Sequence, residues 1–327
     1  MTDLQFDDEP ILVGTNEREV AARLASIEAR GPRTTRVVSA RLSLRRRIVD
    51  VWRSRELFAF LVRKEIKVKY KNSFLGFLWS MLNPALNLTV FYILFTYFLP
   101  NGIPWFVIYM FSAMLVWNLF QTATLTATST IVANGGLVKK VAFPREILPL
   151  ASVGSAFMFF LFQSIVMIAF MVAFWHRPLW GDVWLLVPAL AAVVVFASAL
   201  SVFLAAVNVY LRDTQHLVEV ILLAWFWAVP GIYNFNEVHK KLVAHHILWV
   251  YFLDPLVPLV MTFQKVFFAL TYAHNTIPPH VLTQILAGYS PHWYVAADLA
   301  VLAISAVMLL GAMVVFGRLE GNFAEEL

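Results

Sequence analysis

The residues of this 327-residue chain that could bind metal or carry protons are its eight histidines and a few scattered acids. His239, His245 and His246 stand closest together, at spacings of six and one. That spacing matches no common zinc pattern, and no acidic cluster completes it. Asp254 and Lys265 fall in an irregular apolar stretch, where an ionisable group at membrane depth is a functional candidate by default. They can equally pair with each other or reach the aqueous interface. Asp213 follows Arg212 and is expected to pair locally. Cysteine is absent, which excludes thiol catalysis, thiolate zinc, iron–sulfur clusters and disulfides. No G-x-x-x-x-G-K-[ST] loop occurs, so nucleotide phosphates are not cradled by that route. No catalytic constellation, metal site or resident cofactor is expected. The remaining candidates are residues that bind rather than react.

Two groups of these stand out. Asn83, Asn87, Thr89, Tyr92 and Thr96 alternate with Phe91 and Phe95, and Tyr233 heads the run Tyr233-Asn234-Phe235-Asn236. Sugars present apolar C–H faces and many hydroxyls, so a glycan path needs flat aromatics beside amide and hydroxyl partners. On this reading Asn87, Tyr92 and Phe95, with Tyr233, line a channel. Phe91 is a neighbour, because successive helical residues point about 100° apart. The plainer reading is that Trp and Tyr near span ends form interfacial belts, while Phe faces lipid or core.

The elements that must carry these residues are membrane spans. The chain is 60% hydrophobic and 14% charged, with mean hydropathy +0.72, against about 45–50% and about 25% in a soluble domain. No charged residue occurs from Asn72 to Val138, a run that suits two spans of about 20 residues, broken at Pro100 to Pro104. Hydropathy predicts six spans, near residues 74–99, 105–132, 148–175, 184–211, 218–232 and 296–316. The fifth is short and contains Pro230-Gly231. No cleavable signal peptide is expected, since the charged first 56 residues lack an apolar core. With six spans, 21 of the 25 Lys and Arg residues share one side with both termini and four lie on the other. The positive-inside rule puts the 21 in the cytoplasm.

The predicted fold is thus an all-α membrane protein with six transmembrane helices. A cytoplasmic extension covers 1–55, an amphipathic interface helix 56–73, the spans 74–317 and a short tail 318–327. Residues 233–293 are too apolar for an open loop and too rich in proline for a simple span. They read as a re-entrant helical hairpin on the outer side between spans five and six, with Val238, Leu242 and Trp249 as a helical stripe. In the interface helix Leu57, Phe58, Leu61, Val62, Ile66, Val68 and Tyr70 form an apolar arc. Arg63, Lys64, Lys67 and Lys71 oppose it, and Phe60, Glu65 and Lys69 break the pattern. Such a helix lies at the membrane surface with its cations toward anionic headgroups. It serves as a topology anchor, as a docking or gating element, or as both. Between spans two and three, residues 134–149 form a cytoplasmic turn and a short helix-capable run. There an exposed Phe143 sits among Lys139, Lys140, Arg145 and Glu146, with Pro144 fixing a turn or a helix start. An exposed aromatic flanked by charges suits insertion into a partner's groove.

Four motifs in this order are recognisable: Arg63-Lys64-Glu65-Ile66-Lys67-Val68-Lys69-Tyr70-Lys71 running on to Gly76; Trp79 with Asn83-Pro84; Val141-Ala142-Phe143-Pro144-Arg145-Glu146-Ile147-Leu148-Pro149; and Tyr210-Leu211-Arg212-Asp213. Together they resemble the permease subunit of type-2 ABC exporters that move O-antigen polysaccharides and teichoic acids. The resemblance runs from about Leu57 to the C-terminus. It implies a homodimer of six-span subunits with two copies of a separate ATPase subunit, which would hold the ATP and magnesium. It also implies that the amphipathic segment is a gate helix, that the Phe143 loop is the coupling helix, and that spans one and five face the channel. The expected cargo is a polysaccharide on a polyprenyl-diphosphate lipid, and a cell-wall galactan is also compatible. Membrane lipids are expected partners and nucleic acid is not. A membrane-embedded transferase acting on polyprenyl-linked sugars and a passive channel are the competing readings.

Overall fold

The computed structural model describes residues 44–70, 78–99, 102–274, 276 and 282–327. Residues 1–43 of the extension, Lys71 and the rest of 71–77 lie outside the described residues, and of Tyr70 only the backbone is described.

Helices α1 (Leu44–Arg53) and α2 (Arg55–Tyr70) meet at Ser54, whose Oγ and N–H both bond the Asp50 carbonyl, at 2.9 and 3.1 Å. Helix α3 (Leu78–Ile93) tolerates Pro84 and ends in a single π-helical turn, Leu94–Phe98. Such turns re-aim side chains and recur at functional sites. Helix α4 (Phe106–Ala133) starts after Trp105, held at φ 53°. Then come α5 (Gly135–Lys140), α6 (Ile147–Ala173), a 3-10 segment (Trp180–Leu185), α7 (Leu186–Tyr210) and α8 (Thr214–Ala228). Between α8 and the last long helix lie α9 (Phe235–Ala244), α10 (Leu248–Tyr251), α11 (Leu256–Phe267) and an antiparallel hairpin of β1 (Tyr272–His274) with β2 (Leu282–Gln284). Long α12 (Pro291–Leu319) and short α13 (Phe323–Glu326) close the chain.

Helix α4 is the hub. It is packed by α6, α7, α8 and α11, and every residue from Phe106 to Trp117 is buried. Helix α7 buries Ala189, Ala192, Ala199, Ala205 and Ala206, and its main partner is α12. Small residues let helix backbones approach closely where hydrophobicity alone cannot drive association.

Five helices among the described residues are long and apolar enough to cross a membrane. The predicted fifth span is not among them. It forms the 15-residue α8, about 22 Å at 1.5 Å per residue, and ends at Ala228 before Pro230-Gly231. The chain then unwinds, and its carbonyls are satisfied from within. The Tyr109 hydroxyl donates to the Tyr233 carbonyl at 2.8 Å, and Gln264 Nε2 donates to Pro230 at 2.6 Å. Irregular backbone inside an apolar environment requires such partners. Helix α11 is buried along nearly its whole 12 residues against α4 and α7. Residues 233–293 depart from a plain helical hairpin in two ways. They contain the β1–β2 ribbon, and the expected stripe breaks at His245-His246, where His246 has φ 57°. Trp249 therefore belongs to α10, not to the helix of Val238 and Leu242.

Candidate functional site

Helix α2 packs across α6, and contacts from α6 fix its side chains. Leu61 is buried, and Leu57, Phe58 and Val62 pack with it on Val138, Ile147 and Leu148. Gly154 of α6 makes the close approach possible, since a Cβ there would lie 2.7 Å from Phe58 Cζ and 2.8 Å from Val62 Cγ2. Glu65, which interrupts the amphipathic pattern, lies on this packed face. Its two carboxylate oxygens accept from Ser155 Oγ at 2.5 Å and Ser152 Oγ at 3.1 Å. Val68, placed in the apolar arc by the sequence, is instead 62% exposed. The cations do not share one face either. Lys64 donates to Asn134 Oδ1 at 3.2 Å. Lys69 sits 4.1 Å above the Phe159 ring, where burial pulls its pKa below the ordinary lysine value. Arg63 turns toward a separate apolar groove, and Lys67 is exposed.

Lys69 marks the edge of a cavity of about 640 Å³ between α3, α4 and α6. Asn83 and Asn87, one turn apart, reach it from α3. Asn118, Gln121 and Thr122 reach it from α4, and Gln163 from α6, with Trp79 and Phe159 as aromatic walls. Asn118 Nδ2 donates to Gln163 Oε1 at 2.9 Å, and Trp117 Nε1 donates to Gln121 Oε1 at 3.1 Å. An amide moved from water into hydrocarbon without partners costs several kcal/mol. Five amides from three apolar helices converging on one space therefore make it a polar chamber. Its lining holds one cation and no carboxylate, so it can hydrogen-bond polar groups but offers no acid or base of its own.

A second cavity, about 380 Å³, lies farther along α3. Tyr92, Phe95 and Thr96 line it with Trp105, Phe106 and Phe174. Phe95 packs on Phe106 at 5.0 Å between ring centroids, and Phe91 stacks behind Phe95 at 6.4 Å. Helix α3 thus carries Asn87 to the polar chamber and Tyr92 and Phe95 to the aromatic cavity. Tyr233 joins neither within one chain. Its hydroxyl bonds that of Tyr251 at 2.6 Å and donates to the Ala228 carbonyl at 2.8 Å. Asn118, Gln121 and Gln163 escaped the sequence reading, although amides in the middle of apolar runs were the available signal.

The loop at 134–149 is bound to both ends of the described chain. Lys139, Lys140, Val141 and Ala142 are exposed, whereas Phe143 is half-buried against the cluster of Val138, Ile147 and Phe323. The expected exposed Phe143 is thus half-buried, because Phe323 of α13 belongs to the apolar cluster it packs against. Pro144 supplies a turn ahead of α6, its carbonyl accepting from the Ile147 N–H at 3.2 Å. Arg145 Nη1 donates to the Glu320 carbonyl at 2.6 Å. Buried Glu146 accepts from Arg47 of α1, which also reaches Glu320 Oε2 at 2.8 Å. Burial pushes the Glu146 carboxyl above its ordinary value and nearby Glu320 adds to this, against the pull of Arg47. Burial also opposes the Arg47 charge, but Glu320 and Glu146 together carry its pKa above the usual arginine value.

Other sequence candidates disperse. Asp254 accepts from Trp225 Nε1 at 2.8 Å and the Leu256 N–H at 2.9 Å, not from Lys265. His239 bonds the Tyr289 hydroxyl at 3.1 Å, while His245 and His246 are exposed. Among the described residues no three His, Cys, Asp or Glu side chains gather around a common point.

Known proteins are similar to this chain over most of its length. Residues 56–268 match the ABC-2 type transporter family. The chain is 31% identical over 283 residues to the O-antigen export system permease protein RfbA of Myxococcus xanthus, covering 86% of this chain and 99% of that one. Two proteins of the same name from Klebsiella pneumoniae are 27% and 25% identical over 217 and 212 residues, each match covering 65% of this chain and 80% of theirs. The match takes in α2, the polar chamber, the Phe143 loop and α11, and the chain belongs to the ABC-2 type transporter family of membrane proteins.

Proposed function

We propose that this chain is the permease subunit of an ATP-driven exporter that moves a polysaccharide, carried on a polyprenyl-diphosphate lipid, across the cytoplasmic membrane of a bacterium. An O-antigen-type glycan is the favoured cargo, in keeping with the names of the relatives. The observation that carries the reading is the polar chamber. Its amides and aromatic walls suit sugar rings, and Lys69 at its edge suits the diphosphate. The aromatic cavity of Tyr92 and Phe95 continues the path along the same helix. The absence of any carboxylate from the chamber lining argues against the transferase reading.

In this proposal α8 is a short fifth span and α9 to α11 form the outer re-entrant region. Both termini and the 134–149 loop face the cytoplasm. Two copies build the channel, each presenting α3 and α8, whose outward faces carry large exposed residues such as Val90, Tyr97, Val220 and Leu223. Two copies of a separate ATPase dock at the exposed run from Lys139 to Ala142 beside Phe143, and ATP and its magnesium belong to that subunit.

The test is a paired substitution, Asn118→Leu with Gln163→Leu, in the full chain co-expressed with its ATPase. The two amides bond each other, so replacing both leaves no orphaned partner. Surface display of the polysaccharide should fall at least about tenfold, a barrier increase of about 1.4 kcal/mol, while ATP hydrolysis by the assembled complex persists. Wild-type display from a correctly inserted double variant sinks the assignment.

A further inference from the structure

Along α2 lies a second groove, of about 660 Å³, that shares no lining residue with the polar chamber. Phe58 and Val62 of α2, Gly154 and Phe157 of α6 and Val194 of α7 form its almost wholly apolar wall. Arg55 and Arg63 also line it, and no carboxylate does. Among the described residues neither arginine has an ion-pair or hydrogen-bond partner, unlike Arg47, Lys64, Arg145 and Lys69, which are all engaged. Trp52, 72% exposed at the same rim, is the residue type that settles at the level of lipid headgroups. An apolar slot with two unpaired guanidinium groups at its edge fits an amphiphile with an acyl chain and an anionic head.

We propose that this groove is a binding site for one anionic phospholipid, whose acyl chain lies between α2 and α6 and whose phosphate is held by Arg55 and Arg63. The site is separate from the cargo path, because α6 presents Phe157 to the groove and Phe159 and Gln163 to the chamber. It rests only on the chain being a membrane protein with α2 at the interface, so it stands or falls apart from the export reading. The lipid would tie the position of α2 to the composition of the surrounding leaflet.

The experiment is native mass spectrometry of the full-length chain in detergent, given equal amounts of phosphatidylglycerol and phosphatidylcholine with identical chains. Each arginine near a membrane surface contributes about 1 kcal/mol. At about 1.4 kcal/mol per decade, two of them give a preference for phosphatidylglycerol of about thirtyfold. The wild-type chain should retain one phosphatidylglycerol at this preference. R55Q/R63Q should bind both lipids equally, and R55K/R63K should keep the preference. Ala59→Trp, which fills the groove from an exposed position, should lose the bound lipid with no change in melting temperature. Equal retention of the two lipids by the wild-type chain overturns the proposal, as does an unchanged preference in R55Q/R63Q. Displacement of the phospholipid by an equimolar polyprenyl diphosphate also overturns it, because the groove would then belong to the cargo.

Discussion

Ser155 of α6 donates its hydroxyl to the Glu65 carboxylate of α2 at 2.5 Å, and Ser152, one turn earlier, donates to the other oxygen at 3.1 Å. Both serines are buried. The pair anchors an amphipathic helix to a membrane span by a directional contact, which a smooth apolar face alone would not provide. Hydrogen bonds to a charged group contribute about 1.5–3 kcal/mol. Replacing both serines with alanine should therefore loosen α2 on α6 and raise amide hydrogen exchange along residues 55–70 by on the order of tenfold or more. Exchange at wild-type rates in that double variant would show that packing alone holds the helix.

Gly154 provides the steric half of the same contact. Alanine would ordinarily favour a helix over glycine by about 1 kcal/mol. Here its Cβ would press on Phe58 and Val62 below 3 Å, and Val62 is stiff at χ1. Overpacking of this kind costs about 1–3 kcal/mol, so Gly154→Ala should lower the melting temperature despite its better propensity. Shrinking the opposing residue, with Val62→Ala added, should restore much of the loss. A more stable single variant would mean that α2 shifts freely along α6.

The carboxyl of Glu146 offers a pH readout. Its ordinary value is 4.5 and burial lifts it in the folded chain. Its contribution to stability is therefore complete below about pH 4.5 and is lost as pH rises through the raised folded value. Gln at this position still accepts from Arg47 and has no charge to bury. Arg47 stays charged throughout, and its pull on the ionised carboxyl is already contained in the net upward shift. The melting temperature of Glu146→Gln relative to wild type should therefore rise from about pH 5 to about pH 8. A difference that stays flat, or falls, over that interval would assign the compensation by Arg47 greater weight than the burial.

The long spans were legible because each is a continuous apolar run with clear breakers. The expected third span, 148–175, and helix Ile147–Ala173 differ by two residues at most. The fifth span was harder, since Pro230-Gly231 lies inside its apolar run and only the partners Tyr109 and Gln264 show where the helix stops. Glu65 looked like a defect in the amphipathic pattern because its partners are on another helix. The chamber depends on packing: Asn118 and Gln163 are 45 residues apart, and each is diluted by apolar neighbours in its own span. Arg47 and Glu320 are separated by 273 residues, and no local pattern announces their contact.

The exposed part of the 134–149 loop separates docking from structure. Lys139 and Lys140 are exposed, while Arg145 bonds the Glu320 carbonyl and lies 5.9 Å from the Phe323 ring centroid. Lys139→Glu with Lys140→Glu should weaken ATPase co-purification by about tenfold or more and leave the melting temperature within about a degree, as surface charge changes do. Arg145→Glu should instead destabilise the chain itself, by setting a carboxylate against the Glu320 carbonyl and leaving Phe323 without its cation. Equal loss of ATPase from both variants at unchanged stability would place Arg145 in the docking surface after all.

Tyr92 and Tyr233 occupy different settings, a cavity wall and a hydrogen-bonded turn. Tyr92 lines the aromatic cavity of about 380 Å³ and is 39% exposed in the single chain. Tyr233 holds the unwound segment after α8, through its own hydroxyl to Tyr251 and through its carbonyl to Tyr109. Burial raises the pKa of the Tyr233 hydroxyl, the bond to Tyr251 works against that, and Asp254 adds to it, so it serves as a neutral hydrogen-bonding post. The chain has no native cysteine, which permits single-cysteine labelling without background. Tyr92→Cys should react with a water-soluble maleimide in the assembled exporter, and stalled polymer should protect it. Tyr233→Phe should lower the melting temperature, since removing one partner of this half-buried pair costs about 1 kcal/mol, while export per folded molecule stays near wild type. If Tyr92→Cys labels no faster than a cysteine at exposed Val172, or labels equally with and without polymer, the aromatic cavity is not on the path.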